Sequence, residues 1–184
     1  MIGAGLAIYG LAIRQALDVT TEAEWLADTD RQRSFACHRD TQTIPFVYGR
    51  NTNVLTRTAA WSDRWRHLLL PALEPLLRAQ YGEREIIRPR LLNPLPHRRL
   101  LAHTDDNEEI LLHTHRVHLP IKTNPDVDFV IEDVVFKLDY GHVYEFSNQV
   151  FHYVSNRSDE NRVHLIFDYM ESHVLADFRR RHAV

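Results

Sequence analysis

The sequence predicts a mostly β domain, an antiparallel sandwich or barrel with helices packed on one side, and three observations carry that prediction. From about residue 85 the chain breaks into seven or eight short runs rich in Val, Ile, Leu, Phe and Tyr, punctuated by Pro, Gly, Asn and Asp. Segments with helical apolar spacing come before these runs rather than alternating with them. No Gly/Ser linker divides the 184 residues, 44% of which are hydrophobic, enough for one sizeable core. The expected organisation is one domain over 1–184: mixed helix and strand support in 1–84, a β core in 85–170 and a C-terminal helix or tail in 171–184.

The opening "MIGAGLAIYGLAI" is apolar but too short to cross a bilayer, with no basic stretch before it and no clear cleavage site after it. It reads as an N-terminal strand or a disordered leader, and the protein as cytoplasmic. "TEAEWLAD" reads as a short helix, with Thr20 or Thr21 as N-cap and Glu24 completing a capping box. "SFACHRDTQTIPFVYG" alternates like a strand. "WSDRWRHLLLPALEPLLRAQYG" is the clearest helix, with Trp61, Trp65, Leu68, Leu69, Leu73, Leu76 and Leu77 at helical spacing and Gly82 as a stop. Pro71 and Pro75 inside it predict a kink or a break into two shorter helices.

The β runs that follow are "REIIRPRLL", "RRLLAHTD", "HRVHLPI", "DFVI", "VVFKL", "HVYEF" and "NRVHLIFDY", with a further strand expected around His152 in "SNQVFHYVSN". "RVHL" occurs twice, at Arg116–Leu119 and Arg162–Leu165, so two strands carry the same Arg/His pair on one face. The formal charge of −3 supplies no basic field and argues against nucleic-acid binding. The run Arg179-Arg180-Arg181-His182 reads as the solvated end of a last helix. A single cysteine, Cys37, excludes an intrachain disulfide and fits a reducing compartment.

The chemistry concentrates between His103 and His118. On an extended chain His103 and Asp105 project to one side, so an imidazole nitrogen and a carboxylate oxygen can share one ion. His152, flanked by apolar and aromatic residues, is the best third ligand. Two histidines and one carboxylate form the facial set of non-haem Fe(II) oxygenases, although zinc hydrolases also use it. Ten residues on, Arg162 opens a strand on which Arg162, His164, Ile166 and Asp168 share one face and Val163, Leu165 and Phe167 the other. An Arg so placed suits capture of a carboxylate, such as the far end of a dicarboxylic co-substrate chelated to the metal.

"HTD", "HRVHLPIKTNP", "GHVYEFSNQVFHYVSN" and "NRVHLIFDY" together resemble the aspartyl/asparaginyl β-hydroxylase group of Fe(II)/2-oxoglutarate dioxygenases, which is related to bacterial L-proline cis-hydroxylases. The resemblance covers residues 97–170 well and 14–80 more loosely. It implies a double-stranded β-helix (jelly-roll, cupin-like) with N-terminal helices packed on the larger sheet. It implies that His103, Asp105 and His152 bind Fe(II), that Arg162 pairs with the distal carboxylate of 2-oxoglutarate, and that Arg116 and His118 help hold that co-substrate. O2 is the other co-substrate, and the implied substrate is an amino acid, free or within a peptide or small natural product. Asp105, where some relatives carry Gly, favours hydroxylation over halogenation. After Gly141 the chain departs from the group, with His142 and Tyr144 in place of an acid and a Trp.

His113 and His115 receive no role. Asp106, Glu108 and Glu109 read as a solvated loop, with closure over the substrate as the functional alternative. His38, Thr41, Thr43, Tyr48, Arg50 and Asn51 are possible pocket residues, and His164 stands behind Arg162 or in the core. No nucleic-acid or membrane partner is expected. Rival readings are a cupin-type metal hydrolase or isomerase without 2-oxoglutarate, and a non-catalytic metal-binding jelly-roll module.

Overall fold

The computed structural model describes residues 4–48, 56–58, 60, 64–82, 84–105 and 109–181. Trp61, Arg50, Asn51, Asp106, Glu108 and His182, weighed above, lie outside those residues. The helices are α1 (Ala4–Asp18), α2 (Glu22–Leu26), α3 (Asp30–Ser34), α4 (Arg66–Tyr81) and α5 (Ser172–Arg181). The first five strands are β1 (Thr41–Pro45), β2 (Val47–Tyr48), β3 (Thr56–Arg57), β4 (Arg84–Pro94) and β5 (Arg98–His103). They are followed by β6 (His115–Lys122), β7 (Val127–Ile131), β8 (Val134–Phe136), β9 (Tyr144–Phe146), β10 (His152–Asn156) and β11 (Val163–Glu171).

Two antiparallel sheets make the jelly-roll: β1-β4-β11-β6-β9 and β5-β10-β7-β8. Leu92 and Ile166 from the larger sheet pack with Leu100, Val127, Phe129 and Val154 from the smaller one, which closes the interior. On the outer face of the larger sheet, Val117, Leu119, Ile121, Val163, Leu165 and Phe167 pack against Ile13, Leu69, Leu73 and Leu77 of α1 and α4. The alternation read from β11 therefore holds, with one face for the helices and one for the interior. The two "RVHL" strands are neighbours, with Arg116 opposite Asp168 and His118 opposite Ile166.

Two expectations change. The apolar opening is a helix, not a strand or a disordered leader: Ile13, Ala16 and Leu17, spaced three and four apart, seat α1 on the core that α4 shares. Its alanines favour that helix despite Gly5 and Gly10. Also, of the kink or break expected at Pro71 and Pro75, the break does not occur: α4 is one continuous helix. The carbonyls that lose a donor to these prolines belong to His67 and Pro71, both on the exposed side where water serves them. Gly82, at φ 71°, ends the helix where a Cβ would be strained.

The Thr21 capping box at α2 forms as expected, its hydroxyl accepting from the Glu24 N–H while the Glu24 carboxylate accepts from the Thr21 N–H. "SFACHRD" is less extended than its alternation implied: α3 ends at Ser34, Ala36–His38 form a 3₁₀ turn, and β1 starts at Thr41. No described helix is long and apolar enough to cross a membrane.

Candidate metal centre

His103 ends β5 and His152 begins β10, and the two residues are paired across those strands. The register shifts between them: His152 faces His103 while Val154 faces Leu100, so β5 spends three steps where β10 spends two. That bulge re-aims β5. Strict alternation would put His103 on the side of Leu101, which is 50% exposed; with the extra residue, His103 joins Leu100 in lining the interior cavity.

Each histidine has its proton fixed by the main chain. His103 Nδ1 lies 2.7 Å from the Leu101 carbonyl and His152 Nδ1 3.0 Å from that of Val150. A carbonyl only accepts, so both Nδ1 atoms are protonated and both Nε2 lone pairs are left for a ligand. Burial, above all, depresses the pKa of both rings, that of His152 to about 4, which keeps them neutral and metal-competent at neutral pH. The rings are 4.5 Å apart, centre to centre.

Asp105 arrives by a different route from the extended strand expected for "HTD". β5 stops at His103 and the chain bends. The bend is held by Asn148, whose carbonyl accepts from the Asp105 N–H at 2.8 Å and whose Nδ2 donates to the Asp105 and Leu111 carbonyls at 3.0 and 3.2 Å. Asp105 Oδ1 then lies 3.9 Å from His103 Nε2, and Oδ2 lies 3.8 Å from His152 Nε2. Donor atoms of His103, Asp105 and His152 all fall within 4.8 Å of one another, a set that could hold one metal ion.

Cys37, His38 and His103 form a second such grouping. It competes for the same His103, and His38 Nε2 already accepts from Arg31 Nη2 at 2.6 Å. The carboxylate-containing set fits a divalent cation better, since it supplies a negative charge and two uncommitted nitrogens. Burial pushes His38 well below the usual imidazole range and raises the Cys37 thiol.

Arg116 reaches the centre from β6. Its Nη1 pairs with Asp105 Oδ2, while its Nε and Nη2 bind the two oxygens of Asp168 on β11 at 2.7 and 3.2 Å. Arg90 Nη1 stands 3.6 Å from the same Asp168. Across the cavity Arg162 is 0% exposed. Its Nη2 is 2.5 Å from His164 Nδ1, and its Nε and Nη1 meet no acceptor among the described residues. Burial lowers the Arg162 pKa to about 9. His118 is buried against the Phe146 and Phe129 rings, and its Nδ1 is 3.4 Å from His164 Nδ1. Burial holds both of these histidines well below the usual range.

These groups meet in one cleft, lined by His103, Asp105, His152, Arg116, His118, Arg162, Arg31, His38 and Arg90 together with apolar side chains. All six site residues named from the sequence thus line one cavity. His38 joins them, whereas Thr41 and Thr43 are buried outside the lining. His113 and His115 are exposed and away from the lining, and Glu109 starts a 3₁₀ turn and pairs with Arg181. The sequence reading missed the parts played by Asn148, Asp168, Arg31 and Arg90. The sequence does place Asp168 on the same strand face as Arg162, but its pairing with Arg116 and the contacts of Asn148 appear only in the structure.

The model of the aspartyl/asparaginyl beta-hydroxylase family matches residues 57–172. No curated protein matches the chain. Among solved structures, an oxidoreductase of the 2OG-Fe(II) oxygenase family from Burkholderia pseudomallei is similar at 16% identity, over 91% of this chain and 90% of its own, with a TM-score of 0.51. The non-heme monooxygenase ThoJ, as its nickel complex, is similar at 18% identity, over 92% of this chain and 70% of its own, also with a TM-score of 0.51. At such identities the likeness is one of fold.

Proposed function

The chain belongs to the aspartyl/asparaginyl β-hydroxylase family, and on that premise we propose that it is an Fe(II)- and 2-oxoglutarate-dependent dioxygenase that hydroxylates an unactivated C–H bond of an amino acid, free or in a peptide or small natural product. The observation that carries the reading is Arg162: a fully buried guanidinium whose Nε and Nη1 have no partner among the described residues, in the same cavity as two histidines and an aspartate set for one ion. A charge so desolvated costs several kcal/mol unless an anion joins it. A dicarboxylate that chelates the metal at one end and meets Arg162 at the other satisfies both groups.

In this reading His103, Asp105 and His152 hold the iron. Bound iron supplies the redox chemistry that couples 2-oxoglutarate and O2 to succinate, carbon dioxide and the hydroxylated product. The protein's own share is orientation and charge. Leu101 and Val150 fix the two ring protons, and Asn148 fixes the Asp105 backbone. Arg116 lines the cavity, but its Nε, Nη1 and Nη2 are all engaged by Asp105 or Asp168, so its first task is to orient the metal carboxylate. His118 stands beside Arg162 in the lining and serves the co-substrate.

The test is turnover. Purified protein with Fe(II), 2-oxoglutarate and O2 is screened against free amino acids and short peptides for succinate and a product 16 mass units heavier. Succinate and oxidised product in equal amounts, both lost in Arg162→Ala, support the proposal; conversion of a substrate without 2-oxoglutarate overturns it.

A further inference from the structure

We infer that His164 is the positioning residue for the co-substrate's arginine, holding Arg162 so that its remaining donors serve the distal carboxylate. The inference rests on the function proposed above and adds a residue to it. His164 is buried on β11 two positions beyond Arg162 and is not part of the cavity lining; it stands behind the guanidinium rather than in contact with a ligand.

The protons argue for the role. A guanidinium carries five N–H donors and no acceptor. The 2.5 Å contact from Arg162 Nη2 therefore requires His164 Nδ1 to be an unprotonated acceptor, which places the ring proton on Nε2, a buried atom with no acceptor among the described residues. His118 Nδ1 approaches the same nitrogen at 3.4 Å, so His164 links the two side chains nearest the anion site. A neutral imidazole takes one donor of Arg162 without neutralising its charge. A carboxylate in that place would form a closed ion pair and leave nothing for a ligand. Arg162 thus keeps its full charge, and its Nε and Nη1 remain without a partner among the described residues. Removing the acceptor frees a buried cation to turn toward other carbonyls, and the anion site loses its geometry.

The experiment is anaerobic calorimetry of 2-oxoglutarate binding to the Fe(II)-loaded protein, comparing wild type, His164→Leu and His164→Asn. Asn can present its Oδ1 close to where Nδ1 stands. His164→Leu is expected to weaken 2-oxoglutarate binding tenfold or more, the size of a lost hydrogen bond to a charged group. It should raise KM for 2-oxoglutarate with kcat and Fe(II) affinity little changed, and His164→Asn should restore most of the binding. Wild-type affinity in His164→Leu, or His164→Asn as weak as His164→Leu, overturns the inference and leaves the dioxygenase reading standing. Failure of the wild type itself to bind 2-oxoglutarate overturns both.

Discussion

Replacing Arg116 by Met tests whether the buried charge network organises the centre. Arg116 is 3% exposed and Asp168 0%, and two hydrogen bonds of 2.7 and 3.2 Å join them. Arg116→Met takes those bonds from a fully buried carboxylate and also removes the partner of Asp105. Loss of one member of a buried pair costs about 3–5 kcal/mol, most of it from the charge left behind. Arg116→Met should therefore lose about 3–5 kcal/mol in urea unfolding of the metal-free protein. Asp168 then keeps Arg90 Nη1 at 3.6 Å but loses its two short bonds; because Asp168→Asn removes that under-compensated charge, the double variant should be at least about 2 kcal/mol more stable than the sum of the single losses requires. Ni(II) affinity should also fall about 10- to 100-fold in Arg116→Met, as when a ligand's supporting contact is lost. A cost under about 1 kcal/mol, or strictly additive losses, would refute the network argument.

Two other outcomes follow from the same geometry. Asn148→Ala takes the side-chain donor from the Asp105 carbonyl and leaves the Leu111 carbonyl to the Thr114 hydroxyl, so stability should drop by about 1–2 kcal/mol in urea titrations, with weaker Ni(II) binding in competition against a chelator. His118 and His164 are buried and held neutral, whereas in the unfolded chain they take protons near the ordinary value of 6.5. Below that pH the unfolded state binds protons that the folded state refuses, so the urea midpoint of the metal-free protein should be steady above about pH 6.5 and fall progressively beneath it. His164→Asn should flatten that fall; an unchanged slope would remove His164 from the account.

Much of the fold was legible because it depends on local pattern. The strands from β4 onward coincide with the β-rich runs, overrunning them by one or two residues in β4, β6, β7 and β11, and the two faces of β11 follow from residues two apart pointing the same way. Thr21 and Glu24 form the capping box that their spacing predicts. What escaped depends on context that no short window holds. The first helix has no capping signal in its apolar run and is stabilised by α4, whose sequence is some 50 residues away. The two prolines of α4 are tolerated because they face water. At the site, the residue types were readable and their delivery was not. Alternation along "RRLLAH" sends His103 to the wrong face unless a bulge intervenes, and the bulge appears only in the pairing with β10. Arg116 finds Asp168 52 positions away, and Asp105 depends on an asparagine 43 positions on.

The central claim is that one cavity holds both the metal triad and the anchor of a chelated dicarboxylate. Its most direct test is an anaerobic titration of the protein with Fe(II) and then 2-oxoglutarate, followed by visible absorption. A metal-to-ligand charge-transfer band should appear that saturates at one 2-oxoglutarate per chain, is lost in His103→Ala, and needs far more 2-oxoglutarate in Arg162→Ala. Metal binding without that band, or a band indifferent to Arg162, would contradict it.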